Sequence, residues 1–147
     1  MKLKNVLNGL DILSASADLD QEISGVSYDS RTVEKGNVFV AISGEAVDGH
    51  RFIPMAMEKG AVCVVCEHIP EGNIPYVQVA HSRRALALMA GNWFDHPDRE
   101  MTMIGVTGTS GKTTSTYLIK SILEQKAGAK VGLVGTIQNM IGTQALH

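Results

Sequence analysis

The stretch of sequence that decides the fold is Gly105-Val106-Thr107-Gly108-Thr109-Ser110-Gly111-Lys112-Thr113-Thr114. Its glycines let the backbone curl so that successive N–H groups point at one anion, and a helix starting there adds its positive N-terminal end. The apolar segment from Met101 to Val106 predicts a strand before the loop, and the segment from Lys112 to about Lys126 predicts a helix after it. A strand, a glycine-rich loop and a helix in this order are typical of a phosphate-binding loop.

The polar residues of this loop match the chemistry of ATP and Mg²⁺. Lys112 is the candidate catalytic residue because its ammonium can reach the β- and γ-phosphates, and the Thr113 hydroxyl can coordinate the metal. The predicted ATP site comprises Gly108, Thr109, Ser110, Gly111, Lys112, Thr113 and Thr114. The common pattern has a glycine where this chain has Val106, so a strict pattern search would miss the loop. The alternative is a glycine-rich turn with an incidental Gly-Lys-Thr, which the agreement of context and chemistry disfavours.

A polar, proline-containing segment at 96–100 divides the chain and predicts two domains, residues 1–97 and 98–147. Because a nucleotide-binding domain needs at least about 100 residues, the second part is expected to be the start of a longer, truncated domain. Open strand edges and uncovered apolar faces there predict self-association through residues 101–147, or local disorder. A further strand is expected at 131–134, and the helix is expected to end at Gly128 and to bury Leu118, Ile119, Ile122 and Leu123.

Short strands and helices alternate through the first domain. Extended segments are predicted around 23–28, 38–42, 61–66 and 76–79, and helices at 52–59 and 82–94. Pro54 is tolerated in the first turn of the first helix, Gly60 is its expected stop, and Ser82 is the expected N-cap of the second helix. The predicted fold class is α/β: a small N-terminal α/β domain followed by the strand–loop–helix–strand start of a nucleotide-binding α/β domain.

Bulk properties exclude several classes of protein. The composition, 44% hydrophobic and 19% charged, is that of a globular protein. The net charge of -2 shows none of the basic excess of nucleic-acid-binding proteins. Neither an apolar run long enough to span a membrane nor a signal peptide is present in the sequence. We therefore expect a cytoplasmic protein without nucleic-acid or membrane partners.

The two cysteines, Cys63 and Cys66, lie in an apolar run that predicts a buried strand. Positions i and i+3 of a strand point to opposite faces, so these thiols cannot share a metal or form a disulfide with each other. They are expected to pack as small hydrophobic side chains. His50 is expected to be a turn residue without a ligand. Metal-ligand spacing is absent at His68, His81, His96 and His147.

The loop and its surroundings resemble the Mur ligase family. Thr-Gly-Thr-Ser-Gly-Lys-Thr-Thr at 107–114, after Ile-Gly-Val, is similar to the phosphate loop of these ligases, whereas the related folylpolyglutamate synthetases usually have Gly-Lys-Gly-Ser. The segments Gly-Leu-Val-Gly-Thr-Ile at 132–137 and Asn-Met-Ile-Gly at 139–142 resemble the MurE type rather than the MurF type. Upstream, the residues at 28–33, 38–42 and 48–53 follow the pattern of both types in order.

This resemblance implies an ATP-dependent amide ligase of peptidoglycan biosynthesis. Such an enzyme adds a third amino acid, meso-diaminopimelate or L-lysine, to UDP-MurNAc-L-Ala-D-Glu through an acyl phosphate, with ATP and Mg²⁺ as cofactors. The first domain would hold the UDP part of the substrate, and the implied substrate-binding residues are Tyr28, Ser30, Glu45, Ala46 and Val47. The remaining catalytic machinery would lie beyond His147. The chain alone is therefore expected to lack ligase turnover.

Residue chemistry alone leaves other interpretations open. Ser30 and Arg31, at a strand end, could hydrogen-bond a uracil or pair with a diphosphate. They could instead belong to a solvated turn in which Asp29 and Ser30 cap backbone groups. The alternative functions are a MurF-type ligase, an unrelated P-loop nucleotide kinase and a non-catalytic UDP-sugar-binding module. The long segment ahead of the loop argues against the kinase, because such kinases usually carry the loop near their start.

Overall fold

The chain divides into two units, Met1–Met101 and Thr102–His147. The computed structural model describes the backbone of residues 1–44 and 47–146, and their side chains except those of Lys126 and Ala127. The predicted boundary, after residue 97, falls inside a short 3₁₀ helix, Pro97–Arg99, near the end of the first unit. Asp95 and His96 adopt left-handed backbone conformations just before it, with φ of 58° and 53°, so the chain turns sharply there.

A five-stranded sheet forms the centre of the first unit. Its strands are β1 (Ile12–Ala15), β2 (Gly25–Ser27), β3 (Asn37–Val40), β4 (Cys63–Cys66) and β5 (Tyr76–Val79), in the order β1-β5-β4-β3-β2. The four strands β2 to β5 run parallel, and β1 pairs antiparallel with β5. Every residue of β3 and β4 is buried, as expected for parallel strands covered on both faces. The sequence did not predict β1, because its apolar and polar residues do not alternate between the two faces: Leu13 is 58% exposed, whereas the neighbouring Ser14 is half-buried.

Helices cover both faces of this sheet. Helices α1 (Leu3–Val6) and α3 (Ser82–Trp93) contribute to the core on one face, and α2 (Ile53–Glu58) contributes to the core on the other. The prediction for the cysteines is confirmed: Cys63 packs in the first core, Cys66 packs in the second, and both are free thiols. Burial raises the pKa of Cys63 to about 12 and that of Cys66 to about 11, so neither is a thiolate near neutral pH.

Two of the three predicted helix signals in this unit are confirmed. Pro54 lies in the first turn of α2, and Gly60 follows the helix with a left-handed φ of 98°. The prediction that Ser82 caps α3 is wrong. His81 is the N-cap, and Ser82 is the first helical residue, with its hydroxyl bonded to the Glu67 carboxylate. The Ser82 hydroxyl therefore binds Glu67, which is distant in sequence, instead of capping the helix as the local pattern predicted.

The second unit contains one long helix and a small antiparallel sheet. Helix α4 (Lys112–Ala127) ends at Gly128, which has a left-handed φ of 61°, as predicted. The sheet comprises β6 (Gly132–Leu133), β7 (Asn139–Ile141) and β8 (Gln144–Leu146) in that order. The hairpin of β7 and β8 was not predicted. No helix within the described residues is long and apolar enough to cross a membrane.

Three predictions about the second unit are wrong. Residues 101–106 form no strand, and Met103 is 70% exposed. The strand expected at 131–134 is limited to Gly132–Leu133, and it pairs antiparallel with β7 instead of lying in a parallel sheet. The expected buried stripe of α4 is largely open, with Leu118 59% exposed. The common reason is that no described strand pairs with residues 101–106, so the parallel sheet that would cover these apolar side chains is not formed.

Candidate functional site

A cavity of about 550 Å³ lies in the first unit, beyond the carboxyl ends of the neighbouring strands β2 and β3. Parallel α/β sheets characteristically bind ligands outside this end of their strands. The lining residues come from the segment after β2, the loop after β3, and the helical turns that follow: Tyr28, Asp29, Ser30, Arg31, Ile42, Gly44, Val47, Gly49, Phe52 and Met55.

The segment after β2 is a tight turn that presents Ser30 to the cavity. The Ser27 hydroxyl and the Thr32 amide both donate to the Asp29 carbonyl, each at 3.0 Å. The Arg31 amide donates to the Asp29 carboxylate at 2.9 Å, which makes the turn an Asx-type turn. Ser30, at its apex, is only 6% exposed. The sequence offered a backbone-capping turn as the alternative to a binding site. In the structure this turn also forms part of the cavity wall.

The Arg31 guanidinium binds the Asp29 carboxylate at 2.7 Å. This hydrogen bond, together with the bond from the Arg31 amide, lowers the pKa of Asp29 from 3.8 to about 2. Because the folded-state pKa is depressed, the contact is complete above the ordinary value of 3.8 and is lost as the pH falls through about 2. At neutral pH the turn is therefore held by an ionised carboxylate.

We expect Arg31→Ala to raise the pKa of Asp29 part of the way back to 3.8, because the variant removes the guanidinium and keeps the backbone donor. An NMR titration of the side-chain carboxyl carbons measures this directly. Arg51→Ala, at an exposed position, is the control and should leave the titration unchanged. A wild-type Asp29 that already titrates near 3.8 would contradict the pairing.

The loop after β3 closes on itself and needs glycine at two positions. The Gly44 amide donates to the Val47 carbonyl at 3.2 Å, and the Gly49 amide donates to the Ile42 carbonyl at 2.8 Å. A Cβ atom at Gly44 would lie 2.6 Å from the Val47 carbonyl oxygen, and one at Gly49 would lie 2.7 Å from the Ile42 backbone. Any side chain at either glycine would therefore force the loop out of its present shape.

The structure brings several of the predicted substrate-binding residues to this cavity. Tyr28, Ser30 and Val47 line it, whereas Glu45 and Ala46 lie outside the described residues. Phe52 and Met55 also line the cavity and were not singled out from the sequence. A signal was available, because Phe52 belongs to the 48–53 motif, but the motif by itself does not show which of its side chains face a cavity.

The predicted phosphate loop precedes α4 in the second unit. Gly108 and Gly111 have φ of 150° and 75°, conformations that residues with a Cβ rarely adopt. Helix α4 begins at Lys112 with no side-chain cap at Gly111 and no acidic residue in its first turn, so its first amides and its positive end are available to an anion. The Lys112 ammonium donates to the Gly108 carbonyl at 2.5 Å, folded back over the loop.

These residues fit a nucleotide phosphate with its metal. Thr113, half-buried in the first turn of α4, borders a groove of about 420 Å³ with Thr114, Tyr117, Leu118 and Ile137. Among the described residues, no group of three or more His, Cys, Asp or Glu could hold a metal ion. The Thr113 hydroxyl could coordinate a Mg²⁺ at this loop together with phosphate oxygens and water.

A parallel sheet with a cavity at its carboxyl edge and a glycine loop at a helix N-terminus are features typical of phosphate-binding α/β proteins. Two family models match it: the Mur ligase family, catalytic domain, over residues 22–94, and the Mur ligase middle domain over residues 106–147. The chain belongs to the Mur ligase family, which confirms the resemblance of its motifs.

Individual relatives agree with this assignment. A UDP-N-acetylmuramoyl-L-alanyl-D-glutamate--2,6-diaminopimelate ligase from Clostridium tetani is 45% identical over 100% of this chain, and the chain spans 31% of that relative's length. A solved structure of a UDP-N-acetylmuramoyl-L-alanyl-D-glutamate--2,6-diaminopimelate ligase matches 99% of this chain and 29% of its own, with a TM-score of 0.70 and 23% identity, which shows the fold alone. The MurF ligase from Thermotoga maritima in complex with ADP is 32% identical, with a TM-score of 0.52, over 69% of this chain and 23% of its own.

Proposed function

We propose that this chain is part of an ATP-dependent ligase that adds 2,6-diaminopimelate to UDP-MurNAc-L-Ala-D-Glu. The observation that carries the proposal is the 45% identity, over the whole chain, to a relative named for this reaction. A MurF-type ligase is less well supported, because the MurF ligase from Thermotoga maritima shares 32% identity over 69% of the chain. Diaminopimelate is preferred over L-lysine as the third amino acid for the same reason.

In this proposal the cavity of the first unit holds the UDP part of the substrate. The Ser30 hydroxyl, nearly buried at the apex of its turn, can hydrogen-bond a uracil or ribose oxygen. Tyr28 and Phe52 offer aromatic faces, and Val47 offers an apolar contact. Residues 45 and 46 complete the proposed substrate-binding set on the strength of the family pattern.

The glycine loop of the second unit holds the ATP phosphates in this proposal. ATP with Mg²⁺ supplies the phosphoryl group that activates the substrate carboxylate as an acyl phosphate. The amides of residues 108–114 bind and orient the phosphates, the Lys112 ammonium leaves the Gly108 carbonyl to neutralise their charge, and Thr113 holds the metal. Positioning and charge neutralisation account for most of the catalysis of phosphoryl transfer, so this chain would contribute the phosphate-binding part of the ATP site.

One other function has an observation in its favour. The described residues that line the cavity all belong to the first unit, so the chain by itself could act as a UDP-sugar-binding module without turnover. Because both functions need the cavity, a binding test on the chain addresses the feature they share. The cytoplasm, where ATP is available, is the proposed location. The self-association expected of residues 101–147 stays a prediction.

We expect the chain to bind UDP and Ser30→Ala to weaken that binding about tenfold, the effect of losing one well-placed hydrogen bond to a ligand. Isothermal titration calorimetry measures both dissociation constants. Ser121→Ala, at an exposed position of α4, is the matched control and should bind UDP like the wild type. Equal affinities for wild type and Ser30→Ala would show that Ser30 does not contact UDP. If the wild type bound no UDP at all, the cavity would not be the UDP site.

A further inference from the structure

Both ends of the loop after β3 are tied to one residue that lies outside the cavity. We define the loop stems as Ser43 and Gly44 on one side and residues 47–49 on the other; they are joined to each other by a β-bridge between Ser43 and Asp48. Glu67, which follows β4, accepts a hydrogen bond from the Ser43 hydroxyl at 2.9 Å. The backbone amide of the same Glu67 donates to the His50 ring at 2.9 Å, and His50 in turn contacts Asp48.

His50 connects the second stem to the end of β4. Its side chain is 11% exposed, its Nδ1 lies 2.6 Å from the Asp48 carboxylate, and its Nε2 faces the amides of Glu67 and His68 at 2.9 and 3.4 Å. Backbone amides can only donate, so Nε2 must accept and Nδ1 must carry the proton that is donated to Asp48. The hydrogen bonds thus select one neutral tautomer, and His50 is more than the turn residue predicted from the sequence.

Glu67 is itself fixed by the start of helix α3. One carboxylate oxygen accepts from both the amide and the hydroxyl of Ser82 at 2.8 Å, and the other accepts from Ser43. Burial opposes ionisation of Glu67, but the hydrogen bonds from Ser82 and Ser43 outweigh it and lower the pKa of the carboxyl below its ordinary value. The loop stems are therefore anchored, through an ionised side chain, to a helix that packs in the core.

We infer that Glu67 and His50 are positioning residues, which set the affinity of the cavity for a nucleoside diphosphate by holding the loop stems without touching the ligand. Neither residue lines the cavity, whereas Gly44, Val47 and Gly49 of the stems do. The inference rests on the proposed function of the cavity. Holding the stems before the ligand arrives removes the cost of ordering them on binding, which is how preorganisation increases affinity.

Calorimetry with UDP on paired variants of the chain tests the inference. Glu67→Ala should weaken binding at least about tenfold, whereas Glu67→Gln, which keeps an oxygen for Ser82 or Ser43, should stay within about threefold of wild type. His50→Ala and His50→Gln form a second pair with the same expected contrast, since glutamine can still accept from the Glu67 amide. Glu71→Ala, at an exposed position beyond β4, should bind like the wild type.

Amide hydrogen exchange gives a second measurement that needs no ligand. The Gly44 and Gly49 amides, which close the loop, should exchange at least about tenfold faster in Glu67→Ala while the amides of β4 and β5 keep their protection. If Glu67→Ala also speeds exchange in β4 and β5, Ser43→Ala is measured in its place. This variant removes the hydrogen bond between Ser43 and Glu67 and leaves Ser82 bonded to Glu67.

The outcomes separate this inference from the proposed function. Wild-type UDP affinity in both alanine variants, or unchanged exchange at Gly44 and Gly49, would overturn the positioning role even if the cavity binds UDP. Equal losses in the alanine and glutamine variants would also overturn it, because they would indicate a general packing effect. Faster exchange of the Gly44 and Gly49 amides in Glu67→Ala, in a chain whose wild type binds no UDP, would support the anchoring of the loop stems. It would also show that UDP is not the ligand of the cavity.

Discussion

Replacing Lys112 with alanine in the complete ligase is expected to lower kcat at least about 100-fold, equivalent to about 2.7 kcal/mol of transition-state stabilisation. In the proposed function, Lys112 at the start of α4 is the cation that neutralises the charge developing on the transferring phosphoryl group. Its side chain is exposed and contacts only the Gly108 carbonyl among the described hydrogen bonds, so folding should be little affected. Phosphate release from ATP in the presence of UDP-MurNAc-L-Ala-D-Glu and diaminopimelate measures the loss.

Lys130→Ala is the matched control for this variant. Lys130 is an exposed lysine of the same unit, beyond the end of α4, and its removal lowers the net charge by the same amount. It should leave kcat within about twofold of wild type. A Lys112→Ala enzyme that retained more than about a tenth of wild-type kcat, a change of only about 1.4 kcal/mol, would contradict the assigned role.

Truncating Phe39 should produce the largest loss of stability. Phe39 is 1% exposed in β3, between β2 and β4, and belongs to the core that α2 and β4 also build. Phe39→Ala is expected to lower the free energy of unfolding of the first unit by about 3–5 kcal/mol, through lost transfer energy and the cavity left behind. Trp93, the only tryptophan of the chain, packs against the opposite core of this unit, so its fluorescence during urea unfolding reports the transition.

An exposed strand residue provides the comparison for Phe39. Leu13→Ala, in β1, should change the free energy of unfolding by no more than about 0.5 kcal/mol, because most of that side chain is already in water. Similar losses in the two variants would contradict the assignment of Phe39 to the core. An unfolding transition that Trp93 fluorescence and circular dichroism place at different urea concentrations would show that the chain does not unfold in a single two-state transition.

The candidate site was predictable from the sequence where chemistry is local. The phosphate loop needs only glycines, a lysine and a threonine at fixed spacing before a helix, and the structure begins α4 at Lys112 as predicted. Ser30 was singled out because a family pattern marks it, and it lies at the cavity. Phe52, Met55 and Glu67 were missed, because their proposed roles depend on which elements come together in space.

The sequence by itself determined the α/β class, the opposite orientation of Cys63 and Cys66, and the stops of α2 and α4 at Gly60 and Gly128. Each follows from a period of two along a strand or from a glycine in a left-handed conformation, which are properties of neighbours in the chain. The exposure of the residues before the phosphate loop, and the absence of a strand there, were decided only by the tertiary structure, because a strand forms when another strand satisfies its backbone hydrogen bonds. The same reason applies to Glu67, which contacts Ser43, His50 and Ser82 because parallel strands bring their carboxyl ends to one edge of the sheet. No local pattern of residues predicts these contacts.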